Sequence, residues 1–356
     1  PKELYDHSTP IDFNLRPSVP VEINKRWRLG RLSSSGGGFI DACSRLMRYH
    51  LPLVFLEGFS PILKSAQSIR VNSLFTAVSM HYNIPFKSIA ANLDDSCPIF
   101  THQHGANYGT DLFCGSEDYE RSVSNRFLTW GWKEDDLTDP LPAPSRLQAW
   151  RVSSSRRSSS RRILLTCANR APYLTRYYCC ENGVQNLSTI DSTIDLVKKV
   201  QHLDIEISYY RHDFGWNVRE RFSEADAVLP EKTTRSEYYG LHVINYIGTA
   251  WLETMAVNLP TICFYDPNKY LFRAACQPYI NTLKSVGILH ETVASAVDQI
   301  LKIQDNPQRW WYQDEVQEIR EAFVQQYARL EDNWLDSWVK EFGRMAGMVE
   351  SGDYFD

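Results

Sequence analysis

Two periodicities alternate along the second half of the chain. Residues 162–167 (RILLTC), 205–211 (IEISYYR), 225–229, 242–247 (HVINYI) and 261–265 (TICFY) are short runs rich in apolar, β-branched or aromatic residues, and predict strands. Between them, residues 189–200 and 250–257 repeat their apolar positions every three or four residues, and predict helices. From Trp310 onward the same spacing continues through Val316, Ile319, Phe323, Tyr327, Leu330, Trp334, Trp338 and Phe342, a helical packing face. Strands alternating with helices predict a parallel sheet flanked by helices. The first half is less regular. There, 53–55 suggests a strand leading into Glu57-Gly58, 71–82 a helix, 97–104 a segment ending in a glycine-bearing loop, and 128–132 a further strand. A second α/β layer is expected from them.

The sharpest break lies at 151–162 (RVSSSRRSSSRR), which lacks apolar periodicity and follows the proline-rich 139–145 (DPLPAPS). It predicts four parts: an N-terminal α/β domain at 1–150, a connection at 151–162, a Rossmann-like domain at 163–310, and helices at 311–356 that pack back across the domains. Two such domains would enclose a cleft between the carboxyl ends of their sheets, where ligands of open α/β folds bind.

Composition narrows the classes. The 356 residues are 43% hydrophobic and 23% charged, as in globular proteins, and the net charge of −5 gives no field for nucleic acid. No apolar run approaches the ~18 residues of a membrane span. The chain opens on Pro-Lys rather than Met, the start expected of a piece trimmed from a longer protein. None of the eight cysteines forms a C-x-x-C pair and several sit in apolar runs, so buried thiols in a reducing, cytoplasmic compartment are expected. The basic stripe at 151–162 adds an expected peripheral contact with the inner face of a membrane.

Three strings carry candidate chemistry. In the first, Gly248, Thr249 and Glu253 close a strand and open a helix. The glycine permits close backbone approach, the helix start favours phosphate, and Glu253 lies one turn on, on the Thr249 face, where it can accept from a ribose diol. A plain threonine N-cap is the alternative. In the second, His102 and His104 at i, i+2 share a strand face ahead of Gly105, Asn107, Tyr108 and Gly109. They suit phosphate binding or general base work. A metal set with Asp111 or purely structural histidines are the alternatives, and no metal is expected. In the third, Arg211 and Asp213 follow a strand, the arginine able to grip a donor carboxylate or phosphate and the aspartate to act as base or nucleophile. A turn with an Arg–Asp ion pair explains them equally. Glu57, and Glu117 with its neighbours Asp118 and Glu120, are further acids able to serve an acceptor.

In order along the chain, QHGANYG, FLTWGW, RHDFGW, GTAWLETMAVNLPTICFYDP, ACQPYINTLKSVGILHET and RWWYQDEVQEIREAFVQQYAR resemble the surface-carbohydrate transferases of bacterial polysaccharide clusters. The second half of that family is similar to GT-B glycosyltransferases. The resemblance spans about 98–329 and implies two Rossmann-like domains, donor nucleotide on the C-terminal one and acceptor on the N-terminal one. It implies donor contacts from Gly248, Thr249 and Glu253, with His102 and His104 lining the cleft. A CMP-linked ulosonic acid such as Kdo, with one phosphate and its own carboxylate, suits a single arginine (Arg211) and a helix start. The related GT-B Kdo transferases use such a donor without metal, and no cofactor is expected. The expected activity is therefore sugar transfer to a glycan or lipid-linked glycan acceptor in lipopolysaccharide or capsule assembly. Inversion would use Glu117 or a histidine as base, and retention Asp213 as nucleophile. A sugar-nucleotide epimerase or hydrolase, a histidine-based metallo-phosphoesterase and a non-catalytic glycan-binding scaffold are the rival expectations.

Overall fold

The computed structural model describes residues 20–29, 38–93, 97–143, 160–173, 181–209, 213–225 and 239–351. Its strands are β1 (Leu74–Thr76), β2 (Ile99–His102), β3 (Arg126–Thr129), β4 (Thr138–Pro140), β5 (Ile163–Cys167), β6 (Ile205–Tyr209), β7 (Leu241–Ile244), β8 (Thr261–Phe264) and β9 (Leu289–His290). They form two parallel sheets, one in the order β1-β2-β3-β4 and one in the order β6-β5-β7-β8-β9. The expected α/β class with two parallel sheets is what the chain adopts.

The five-stranded sheet explains its own sequence. In β7 and β8 every residue is buried, as parallel strands covered by helices on both faces must be, so they read as mainly apolar runs, with His242 and Thr261 buried among the hydrophobic residues. Edge strand β6 buries only its central Ile207. The crossover helix Gly183–Val200 begins at a capping box in which Asn182 and Gln185 satisfy each other's backbone N–H. It buries Ile190, Thr193, Leu196, Val197 and Val200 on one face. The strand order reverses between β5 and β7, and that switch point is where open α/β sheets leave a crevice at their carboxyl ends.

Several sequence expectations are revised. Residues 53–55 form a single 3₁₀ turn rather than a strand. The apolar run 71–82 breaks into β1 and a short helix, Ser79–Tyr82, because Thr76 accepts the Ser79 N–H and turns the chain. Of 225–229, only Ala225 is described, in a turn after the Val218–Ser223 helix. The tail is three helices, Pro307–Trp311, Asp314–Tyr327 and Trp334–Ser351. The second stops at Tyr327 because the next stretch bonds elsewhere: Arg329 N–H donates to Trp130 O (2.9 Å) and Ala143 N–H to Arg329 O (2.7 Å). The Trp310-Trp311 pair is packing. Trp310 Nε1 donates to Val286 O (3.0 Å) and Trp311 Nε1 to Asn258 Oδ1 (2.7 Å). Asn258 itself takes the left-handed conformation that ends the Thr249–Ala256 helix.

The chain divides into two compact units, one of residues 1–102, 123–126 and 339–356, the other of 103–122 and 127–338. The expected boundary at 151–162 is therefore not where the division falls, and most of that stretch lies outside the described residues. Residues 103–122 belong to the second unit for a visible reason. Leu112 N–H donates to Leu271 O (2.7 Å), Arg273 N–H to Thr110 O (2.9 Å), and Asp111 bridges Phe272. Cys114, Cys167, Cys263 and Cys276 are buried free thiols, as expected; Cys43 is exposed. No helix among the described residues is long and apolar enough to cross a membrane.

His290, at the end of β9, is buried, with Nε2 3.0 Å from Gly287 O and Nδ1 3.1 Å from Ser295 Oγ. Burial holds its pKa below the ordinary 6.5, against a smaller opposing pull from the Gly287 carbonyl. The native state thus favours neutral imidazole. The resulting stability is complete above pH 6.5 and is lost as the pH falls from there toward the lower native value. Urea midpoints measured at pH 7.5 and 5.5 should fall less in His290→Gln than in the parent chain.

Candidate functional site

The site is assembled on the carboxyl ends of β5 and β7. Past β5, Ala168 N–H donates to Asn245 Oδ1 (2.9 Å), and Asn245 Nδ2 donates to Thr193 Oγ1 (2.9 Å). This buried amide clips the two strand ends together across the switch point. Past β7 come Tyr246, Ile247, Gly248 and the Thr249–Ala256 helix. A Cβ on Gly248 would sit 2.4 Å from the Tyr246 ring, so the glycine is demanded by close approach rather than by its extended backbone (φ −176°). Gly248 is also the N-cap, which corrects the alternative of a threonine cap. The Thr249 hydroxyl instead accepts the N–H of Ala106 at 3.2 Å.

That bond joins the two glycine-bearing strings. Residues 103–109 lie against the helix start, closely enough that a Cβ on Gly105 would meet Thr249 Oγ1 at 3.1 Å. The loop is shaped by Gln103, which is fully buried. Its Oε1 accepts from Trp130 N (3.0 Å) and Trp132 Nε1 (2.9 Å), and its Nε2 donates to Gly105 O (2.8 Å). Asn107, at φ 80°, spends its amide on Asp111 (2.7 Å), a turn-forming role rather than a ligand contact.

Within this loop His104 faces a buried carboxylate. Its Nδ1 lies 3.3 Å from Glu120 Oε1, and the Tyr108 hydroxyl lies 2.9 Å from the same nitrogen. Glu120 is fully enclosed and Tyr108 nearly so, stacked on Phe127, whereas the His104 side chain is 25% exposed. Burial, with the Glu120 charge adding to it, drives the Tyr108 phenol far above its ordinary pKa, so it stays protonated. The solvent-facing member of the cluster is thus an imidazole backed by an enclosed carboxylate, an arrangement that can orient a general base.

Arg170, three residues past β5, supplies positive charge at the switch point. Burial pushes the Tyr246 phenol up to about 12; the Arg170 guanidinium pulls the other way and the Glu253 carboxylate adds to the rise. Tyr246, two residues before Gly248, therefore stays protonated. Among the described residues no carboxylate forms an ion pair with Arg170.

Other expected residues have different work. Glu117 is fully buried: Oε2 accepts Gly109 N–H (2.8 Å), and Oε1 pairs with Arg121 (3.0 Å) and Arg273 (2.9 Å). Arg121 also pairs with Glu134 and Asp135. Enclosed and paired, Glu117 anchors the loop and is not placed to activate an acceptor. Asp213 accepts Asn217 N–H and Val218 N–H, both at 2.8 Å, capping the Val218–Ser223 helix; both carboxylate oxygens serve that cap rather than a displacement. Arg211 lies outside the described residues. Glu57 is buried against Arg26 (2.7 and 2.8 Å), which holds its carboxyl below the usual range, so it is a structural anchor in the first unit. His102 is buried at the end of β2, its ring 6.4 Å from that of Phe75. Because the strand stops there, it does not share a strand face with His104. Among the described residues no group of three or more His, Cys, Asp and Glu is arranged to hold a metal ion.

Arg170 and Gln103 carry no signal in the sequence, whereas Glu120 stands among the acids expected to serve an acceptor. Glu120 carried a signal: it follows Glu117 by three residues, on the same face of the Gly115–Ser122 helix, and both turn inward.

This α/β chain of two parallel sheets sets an imidazole-bearing loop on a helix start. It belongs to the LIC12162 family of transferases, whose family model matches residues 6–342. Among proteins of curated function, none matches. Solved structures similar to it include the wall teichoic acid polymerase TagF, at 10% identity and TM-score 0.38, covering 73% of this chain and 69% of that one. An alpha,alpha-trehalose-phosphate synthase (UDP-forming) from Burkholderia vietnamiensis is similar at 10% identity and TM-score 0.42, covering 83% and 80%. UDP-GlcNAc 2-epimerase from Methanocaldococcus jannaschii is similar at 10% identity and TM-score 0.40, covering 81% and 83%.

Proposed function

We propose that this transferase is a glycosyltransferase of cell-surface polysaccharide assembly, moving a sugar from a nucleotide donor to a glycan or lipid-linked glycan acceptor. One observation carries the reading: the Ala106–Thr249 hydrogen bond, which sets the His104 loop against the helix start at the sheet's switch point. The donor's phosphate rests on the Gly248-Thr249 turn, where backbone N–H groups and the positive helix end favour an anion. Arg170 adds the charge that grows in value as the glycosidic bond breaks and negative charge collects on the departing phosphate. Glu253 accepts from the ribose. His104, oriented by Glu120, removes the proton of the acceptor hydroxyl as that oxygen attacks the anomeric carbon. With Asp213 committed to a helix cap, the reaction runs as a single displacement with inversion, which NMR of the product's anomeric centre would report.

Among the described residues one guanidinium, Arg170, is assigned to the donor, which matches a donor with one phosphate. A CMP-linked ulosonic acid of the Kdo type is therefore the proposed donor, its carboxylate a second anion for the same positive surface. Thermal-shift measurements with CMP, UDP, GDP and dTDP test this. CMP should stabilise selectively, by about 2.7 kcal/mol at 100 times its dissociation constant. Arg170→Ala should weaken CMP about 10- to 100-fold, the value of a charge-assisted hydrogen bond. Stabilisation by no nucleotide, or full CMP affinity in Arg170→Ala, would overturn the donor site.

A further inference from the structure

The strongest amphipathic helix of the first unit is turned inside out. In Phe39–His50, the apolar residues Phe39, Ile40, Cys43, Leu46 and Met47 fall at i, i+1, i+4, i+7 and i+8, one continuous stripe. In an ordinary globular protein this stripe faces the core. Here Phe39 is 83% exposed, Ile40 75%, Leu46 52% and Met47 46%, and the helix's one buried side chain is Asp41, on the polar face and paired with Arg45.

The neighbouring helix Ile23–Leu29 buries no residue and exposes Ile23 and Trp27. Arg26 holds the two helices in place from the inner side. Its guanidinium donates to Arg48 O (3.1 Å) and Leu51 O (2.8 Å) while pairing with Glu57. Contiguous exposed apolar area of this kind marks an interaction surface.

Charge and residue type select the occupant. The two helices carry Lys25, Arg26, Arg28, Arg45 and Arg48; Lys25 pairs with Glu22, Arg26 with the buried Glu57 and Arg45 with Asp41, so the five cations outnumber these three acids in a chain whose net charge is −5. The Arg48 guanidinium lies 4.1 Å from the Trp27 ring and 4.6 Å from the Tyr49 ring, so cation and aromatic sit together, as they do at a lipid headgroup boundary. A second copy packed on the same face would bring two basic helix pairs together, a repulsive arrangement.

We infer that the Ile23–Leu29 and Phe39–His50 helices form a face that settles on an anionic lipid surface, with Phe39, Ile40, Leu46 and Trp27 in the acyl boundary and the basic side chains among the headgroups. The inference concerns the first unit alone and stands apart from the donor reading.

Co-sedimentation of the full chain with vesicles tests it. Vesicles of phosphatidylcholine with 30% phosphatidylglycerol should retain the protein, and pure phosphatidylcholine should retain it far less. The triple substitution Phe39→Ser, Ile40→Ser, Leu46→Ser should weaken partitioning on the order of tenfold or more, with an unchanged melting temperature because these positions are exposed. Lys25→Gln with Arg28→Gln should narrow the preference for anionic vesicles, as should added salt. Should the triple variant fail to fold, Phe39→Ser alone must still lower retention. Equal retention of parent and variant, or no retention of the parent chain on either vesicle, would overturn the inference. So would a parent dimer, seen by light scattering, that the triple variant dissociates.

Discussion

Replacing His104 with alanine is expected to lower the turnover number by ~10²–10⁴, the range that a positioned general base contributes. Nucleotide affinity should change little, because the donor's phosphate is assigned to the Gly248-Thr249 turn and Arg170 rather than to the imidazole. Glu120→Gln should produce the same kind of loss at smaller size. It keeps the shape of the side chain while removing the carboxylate that faces Nδ1 at 3.3 Å, so the ring loses its orientation. The discriminating control is Glu117→Gln. Glu117 is three residues from Glu120 and equally enclosed, but it is bound to Gly109 N–H and two arginines. Its loss should appear in the melting temperature, with residual activity tracking the fraction folded. Steady-state kinetics with separate nucleotide titrations decide the matter. A His104→Ala enzyme of parental turnover would remove the base assignment, and one that fails to bind nucleotide would move His104 to the donor side.

A large loss of stability is expected at Gly109→Ala, about 3 kcal/mol. Gly109 sits at φ +70°, where an L side chain costs ~1–2 kcal/mol. Its added Cβ would lie 2.6 Å from Trp132 Cδ2, inside any tolerable contact. Trp132 cannot swing aside cheaply, since it is buried and its Nε1 is bonded to Gln103. Forcing such a packed neighbour to shift adds ~1–3 kcal/mol. Gly343→Ala provides the contrast: it lies in the Trp334–Ser351 helix with nothing within 4 Å of the new methyl, and should be neutral or stabilising by ~0.5–1 kcal/mol. Urea midpoints of the two variants measure the difference. Because Gly109 closes the loop that carries His104, its alanine variant should lose activity even where it remains folded.

Much of the second unit is legible in the residues alone. The strings RILLTC, HVINYI and TICFY read as strands because a parallel strand buried on both faces is short and mainly apolar, with few polar positions to blur its pattern. The helices between them show their apolar faces, and Gly248-Thr249 stands where a strand ends and a helix begins. The first half was misread where local pattern competes with turn chemistry. Residues 71–82 look helical by spacing, yet the Thr76 side chain captures the Ser79 N–H and ends the element early. Glu57, Glu117 and Asp213 look like candidate acids by composition, and each is consumed by a partner that sequence spacing does not reveal. Arg26 lies 31 residues from Glu57, and Arg273 lies 156 positions beyond Glu117.

What the sequence by itself determined is therefore local: strand and helix identity across the five-stranded sheet, the buried character of its thiols, and the turn at Gly248-Thr249. Periodicity, caps and glycine act within a few residues of one another, so a linear reading can reach them. Which carboxylate backs the imidazole, which acids are anchors, and that the Arg170 charge acts on Tyr246 were decided only by tertiary structure. Those assignments depend on contacts between segments far apart in the chain, such as Ala106 with Thr249, 143 positions on. In the five-stranded parallel sheet long stretches of chain separate each pair of neighbouring strands, and the site is built from the ends of strands that the sequence keeps apart.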